Sequence, residues 1–125
     1  MPKARSSSST VKVSTSRRSP CPVSCALDLF GDRWTLLVIR DLMLGRSRFK
    51  DFTNSPEGIP SNILSDRLER LLKGGITRQI PAADGTKRMA HELTEKGVAL
   101  RPVLKSMRDW GLKWEPGTKV GLESV

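Results

Sequence analysis

The stretch Gly58-Ile59-Pro60-Ser61-Asn62-Ile63-Leu64-Ser65-Asp66-Arg67-Leu68-Glu69-Arg70-Leu71-Leu72-Lys73-Gly74-Gly75 decides how the rest of the chain is read. Leu64, Leu68, Leu71 and Leu72 recur at helical spacing. A helix over residues 60–73 therefore hides one stripe and displays Ser61, Asn62, Ser65, Asp66 and Arg67 at or near its N-terminal end. Pro60 suits a first helical turn, where no internal donor is lost, and the Gly74-Gly75 pair stops the helix after about 12 residues, roughly 18 Å. The first turn of such a helix carries unpaired N–H groups and the positive end of the dipole, beside small polar side chains able to bond bases or phosphates. Alone, the segment reads as readily as an amphipathic helix with a solvated polar face; its neighbours decide between the two.

Upstream, Pro22 opens a helix in which Val23, Ala26, Leu27 and Phe30 share a face, and Gly31 closes it. Asp32 is a good N-cap for a second helix, Arg33 to Leu44, apolar nearly all round and so central to a core. Ser47 is placed to cap a short third helix through Phe49 and Phe52, both read as core, before the turn residues Asn54, Ser55, Pro56 and Gly58. Two helices joined by a Gly-containing turn, the second polar at its start, form a helix-turn-helix. Downstream the period becomes two. Ile76, Arg78 and Ile80 alternate on one strand and Met89, His91 and Leu93 on another, with Ala83, Asp84 and Gly85 as turn residues. Lys87 and Arg88 stand at the start of the return strand, as phosphate contacts or as solvated edge charges. Thr94 caps a last helix whose stripe, Leu100, Val103, Leu104, Met107, Trp110 and Trp114, is interrupted by Pro102, which kinks it or marks a new start. That stripe and the Val23 and Leu27 face are more apolar surface than a small core absorbs, so a two-fold dimer is expected to cover them.

Composition agrees with this order. The formal net charge is +9, and the first twenty residues supply Lys3, Arg5, Lys12, Arg17 and Arg18 with no acid. A nucleic acid or an anionic surface is the expected partner. Residues 1–20 share the Ser- and Arg-rich composition of organellar transit peptides, but Val11 and Val13 give them no apolar helical face. They read as a disordered basic arm, residues 21–117 as one domain and residues 118–125 as a flexible tail. No apolar run reaches the length of a membrane span and no secretory signal is apparent, so a cytoplasmic protein without a membrane role is expected. One histidine and two cysteines are too few for a closed Cys/His zinc site. No metal or cofactor is expected, and His91 has no nucleophile or acid motif around it, so the chain does not read as an enzyme.

The strings CPVSCALDLFGDRWTLLVIRDLMLGRSRF, GIPSNILSDRLERLLKGGI and HELTEKGVALRPVL, in this order and spacing, resemble the HxlR-type family of bacterial transcriptional regulators from about Cys21 to Trp114. The resemblance rests on the Cys-Pro start, Gly-Asp-Arg-Trp-Thr-Leu-Leu, the Arg-Phe pair, Leu-Ser-x-Arg-Leu and Leu-Thr-x-x-Gly. It implies a mainly α winged helix-turn-helix with a β-hairpin wing and extra terminal helices for dimerisation. It further implies a homodimer on double-stranded operator DNA, one recognition helix (about 60–73) in each of two major grooves and a wing (about 76–93) beside each. Carried across, Arg48 matches the start of the supporting helix, with Arg46 and Ser47 beside it. Pro60, Ser61, Asn62, Ser65 and Arg67 match the recognition helix, and Lys87 and Arg88 the wing. Pro60 departs from the family's frequent Ser or Ala, and His91 from its frequent Tyr, a half-buried packing position.

Within this frame Asn62 is the first candidate for a base contact, through a bidentate amide to adenine, with capping or solvating the helix start as the alternative. Arg67, deeper on the helix, is open to a phosphate, a base or an intramolecular pair with an acid such as Asp66 or Glu69. Cys21 and Cys25 lie four apart beside Arg17 and Arg18, and basic neighbours with a helix N-terminus favour thiolate chemistry. Some relatives sense oxidants or electrophiles through the Cys-Pro cysteine, here Cys21. An oxidant or small-molecule effector is the corresponding expectation, with inert thiols the alternative. A nonspecific nucleic-acid-binding or protein-interaction module, its binding set by total charge, is the competing function.

Overall fold

The computed structural model describes residues 19–82, 85 and 88–119; the basic arm up to residue 18, Lys87, most of the wing tip and residues 120–125 lie outside them. The chain divides into two units, residues 1–31 and 32–125. The described part of the first unit is helix α1, Pro22–Phe30, with Cys21 as N-cap and Pro22 at the helix start. Its Val23 and Leu27 are exposed.

The second unit runs α2 (Thr35–Met43), α3 (Phe49–Thr53), α4 (Ser61–Lys73), β1 (Thr77–Pro81), β2 (Met89–Leu93), α5 (Glu95–Val98) and α6 (Arg101–Trp114). α2 is the centre. Its Val38, Ile39 and Leu42 are buried, and it packs against α4, β2 and α6. Phe52 of α3, Leu64, Leu68 and Leu71 of α4, Ile59 before it, and Ile76, Ala90 and Leu104 complete the core. Each fully buried leucine of this kind contributes about 1.5–3 kcal/mol by leaving water.

The start of α2 corrects the expected Arg33 opening by two residues: Asp32 folds its carboxylate over an extra turn, accepting N–H bonds from Trp34 at 3.0 Å and Thr35 at 3.2 Å. α3 is capped differently from expectation. Arg48 holds the N-cap position, and Asp51 reaches back to accept the N–H groups of Ser47 at 3.1 Å and Arg48 at 3.0 Å. Of the two phenylalanines read as core, Phe52 is fully buried but Phe49 is 40% exposed, because a helix this short has only one inward position.

Gly75 adopts φ 75°, the left-handed conformation that turns the chain from α4 into β1. The wing strands pair antiparallel from Thr77 opposite Leu93 to Pro81 opposite Met89. The His91 N–H also donates to the Ser47 carbonyl at 2.8 Å, which fastens the wing to the loop before α3. His91 is therefore buried rather than half-buried, edge-on to Phe52 with ring centroids 6.5 Å apart.

The last helix is two. Thr94 caps α5 by accepting the Gly97 N–H at 3.3 Å, and α6 begins afresh with Pro102 in its first turn, where a missing N–H costs nothing. Gly97 is required by contact: a Cβ there would lie 2.4 Å from the Ile76 carbonyl oxygen, so only glycine lets α5 sit on the entry to β1. Among the described residues no helix is long and apolar enough to cross a membrane.

Candidate nucleic-acid interface

α4 presents the candidate surface. Leu64, Leu68 and Leu71 are buried on one side, while Ser61, Asn62, Ser65, Asp66, Glu69 and Arg70 stand exposed on the other. Pro60 sits one position before its expected place, as the N-cap in extended conformation, and supplies no side-chain cap. The first-turn N–H groups of α4 thus gain no bond from the cap side chain, and no acidic residue lies in that turn. An uncapped, acid-free helix start flanked by Ser61, Asn62 and Ser65 suits a phosphate oxygen or a base edge.

The basic residues behave differently from these polar ones. Arg67 Nε donates to Asp32 Oδ2 at 2.8 Å and its terminal nitrogen pairs with Asp66, leaving the side chain 16% exposed. Burial pushes the Asp32 carboxyl up, but bonds from Thr35, Arg67 and Trp34 outweigh that and hold it well below the usual carboxylate range. Of the roles open to Arg67, the intramolecular pair is the one observed, though its main acid is Asp32, 35 residues away in sequence, rather than only a neighbour on α4. Arg46 is tied likewise: its Nη1 lies 3.0 Å from Oδ1 of the buried Asp41, which also accepts from Arg40 at 3.1 Å, while Arg40 reaches Glu57 at 3.2 Å. This cluster locks the end of α2 to the turn before α4. Ser47 and Arg48 spend their N–H groups on Asp51, whose carboxylate the Arg48 N–H holds below its ordinary range.

On the wing, Arg88 is exposed at the foot of β2, and its carbonyl accepts the Ala82 N–H at 3.2 Å. Lys87 lies outside the described residues. Sequence reasoning missed the Asp32–Arg67 and Asp41–Arg46 pairs. No periodicity signals them, since both join segments far apart in the chain or across a loop. It also missed Val98 and Leu112, which are exposed together with Val103, Met107, Trp110 and Trp114. Leu104, assigned to the same outer stripe, is buried in the core, and Leu100 is half-buried.

Residues 29–119 match the family model described as HxlR-like helix-turn-helix. The chain belongs to that family. It is 35% identical over 102 residues to the HTH-type transcriptional regulator YodB of Bacillus subtilis, covering 80% of this chain and 91% of YodB. The reduced form of YodB superposes with a TM-score of 0.65, covering 80% of this chain and all of that one. The crystal structure of PA1607 superposes more fully, with a TM-score of 0.77 at 35% identity over 86% of this chain and 76% of its own. The redox regulator HypR in its reduced form gives 0.66 at 27% identity, over 74% of this chain and 92% of its own. The protein is thus a transcriptional regulator of the winged helix-turn-helix type, in a family that is not enzymatic.

Proposed function

We propose that the protein is a homodimeric, sequence-specific repressor or activator that places α4 of each protomer in the major groove of operator DNA, with the wing alongside. The observation that carries this reading is the division of α4. Leu64, Leu68 and Leu71 are buried and Leu72 half-buried, its uncapped N-terminal turn is free of acid, and Ser61, Asn62 and Ser65 are exposed there. Asn62 reads a base, Ser61 and Ser65 bond phosphate or base edges, and Pro60 sets the angle of entry. Arg48 and Arg88, with Lys87, flank the groove as backbone contacts. Arg46 and Arg67 act from within the protomer, holding the supporting loop and the recognition helix in place. Val103, Met107, Trp110 and Trp114 of α6, and separately Val23 and Leu27 of α1, are the apolar faces that a second copy covers. The protein works in the cytoplasm, where its operator lies.

YodB has been solved reduced, diamide-treated and quinone-bound, and HypR reduced and oxidised. By analogy Cys21 and Cys25, both free thiols and the first of them exposed, are the sensing groups of this chain. Selection from a random duplex pool with the full chain, with and without a mild thiol oxidant, tests the whole reading. A two-fold motif with half-sites about 34–36 Å apart is expected. Retention without any enriched motif, fading with salt, would instead assign binding to phosphates and the basic arm.

A further inference from the structure

We propose that Cys21 and Cys25 form a two-thiol site that chelates a trivalent, thiophilic arsenical across the first turn of α1. The inference rests on the effector-responsive reading of these thiols and names the ligand class they take. The chain has two cysteines, and both stand at the start of one helix of nine residues. The Cys25 N–H donates to the Cys21 carbonyl at 2.9 Å, so the pair is one helical turn apart, and four residues of rise separate their Cα atoms by about 6 Å. The Cys25 side chain turns back toward the helix start, where its thiol donates to the Ser19 carbonyl at 3.3 Å. The Cys21 N–H meets the Ser19 hydroxyl at 3.0 Å. The second thiol is thus drawn to the residue that also holds the backbone of the first.

The donor set selects the ligand. Among the described residues no group of three or more His, Cys, Asp or Glu gathers, so a cation wanting four ligands finds none here. Two soft sulfurs with no third His, Cys, Asp or Glu gathered about them among the described residues suit a soft centre that needs two bonds to sulfur. An organoarsenic oxide is such a species. Two As–S bonds form, the As–O bonds break, and both thiol protons leave with the oxide oxygen as water. Arsenic stays trivalent, so no oxidant is consumed. Two-point capture also resists exchange, because a monothiol that displaces one sulfur leaves the other holding the centre at high local concentration.

The test exposes the full-length chain to phenylarsine oxide, then to excess glutathione, then to dithiothreitol, and reads intact mass under denaturing conditions at each stage. One arsenical per chain is expected, retained in glutathione and released by the dithiol. Cys21→Ser and Cys25→Ser should each lose the adduct to glutathione with at least a tenfold drop in retention. A single variant that holds arsenic as the parent does, or two chains joined through one arsenic, overturns the proposal. Binding to an enriched duplex is measured in parallel. A chelate that forms and leaves duplex affinity unchanged overturns its role as an effector site. A protein that binds no duplex even before treatment overturns the regulator reading and leaves the chelation result standing.

Discussion

Removing the charge of Asp32 tests the placement of the recognition helix more directly than any change on α4 itself. Asp32 does three things: it caps α2 through the Trp34 and Thr35 N–H groups, it accepts the Thr35 hydroxyl, and it holds Arg67 Nε at 2.8 Å. Asn caps about as well as Asp, so Asp32→Asn isolates the ion pair, whereas Asp32→Ala loses the cap as well, about 1 kcal/mol more. The pair is three-quarters or more shielded, with side chains 25% and 16% exposed, so it is worth more than a surface bridge. Arg67 keeps Asp66 as a second partner, which limits the loss. A charge-assisted bond of this kind contributes about 1.5–3 kcal/mol, so Asp32→Asn should cost roughly 1–2 kcal/mol and Asp32→Ala roughly 2–3 kcal/mol. Urea unfolding of Asp32→Asn, Arg67→Gln and the double variant gives the coupling energy directly, expected at about 1–2 kcal/mol. The pH profile supplies a second check. The folded Asp32 carboxyl lies below its unfolded value near 3.9. Its contribution is therefore complete above about pH 5 and is lost as pH falls through the acid range, a loss that Asp32→Asn should not show. Coupling below about 0.3 kcal/mol would refute the reasoning. So would an Arg67→Gln protein of parental stability that has lost its preference at one base position, since Arg67 would then be reading DNA.

Asn62→Ala should leave the unfolding midpoint unchanged, because Asn62 is exposed, while relaxing base preference at one half-site position by about 1–3 kcal/mol in competition binding. Trp110→Glu, at a side chain 60% exposed on α6, should lower the sedimentation mass from dimer to monomer with little change in helix content. A variant that remains dimeric would remove α6 from the interface. His91 is buried, with Nδ1 lacking a partner among the described residues, and burial holds its pKa below the ordinary value of 6.5. The unfolded chain therefore binds the proton first, and stability should fall as pH drops below about 6.5. In His91→Gln, measured by thermal unfolding between pH 5 and 7, that slope should be flatter.

The elements were legible because their signals are local. The leucine spacing of α4, the switch of period at Ile76 and the stop at Gly75 each lie within one segment, and the structure places α4 and both strands within a residue or two of expectation. Boundaries slipped where a side chain two or three residues away takes over the cap, as Asp32 does before α2 and Asp51 does in α3. The candidate site was less legible for a different reason. Exposure of Ser61, Asn62 and Ser65 follows from helical phase, whereas the fate of an arginine depends on which acid the fold brings near it. Arg67 meets an acid from before α2, and Arg46 meets one from near the end of α2; neither encounter has a period or a spacing that a linear reading detects.

These encounters share a consequence for recognition. An acid lies at each end of α2, Asp32 before its first turn and Asp41 in its last, and each holds an arginine in an internal pair. Among the described residues, two cations of the helix-turn-helix are thereby spent on internal pairs, one fixing α4 to the residue before α2 and the other fixing the loop before α3 to the end of α2. What remains at the start of α4 is uncharged: Ser61, Asn62 and Ser65. Uncharged contacts release no counterions, so affinity carried by them depends weakly on salt, while affinity carried by the basic arm falls about 0.9 log units per log unit of salt for each phosphate neutralised. Deleting residues 1–18 should therefore flatten the salt dependence of binding while leaving the preference for operator over random duplex intact. A deletion that lowered the preference as much as the affinity would show that the arm, rather than α4, reads the sequence.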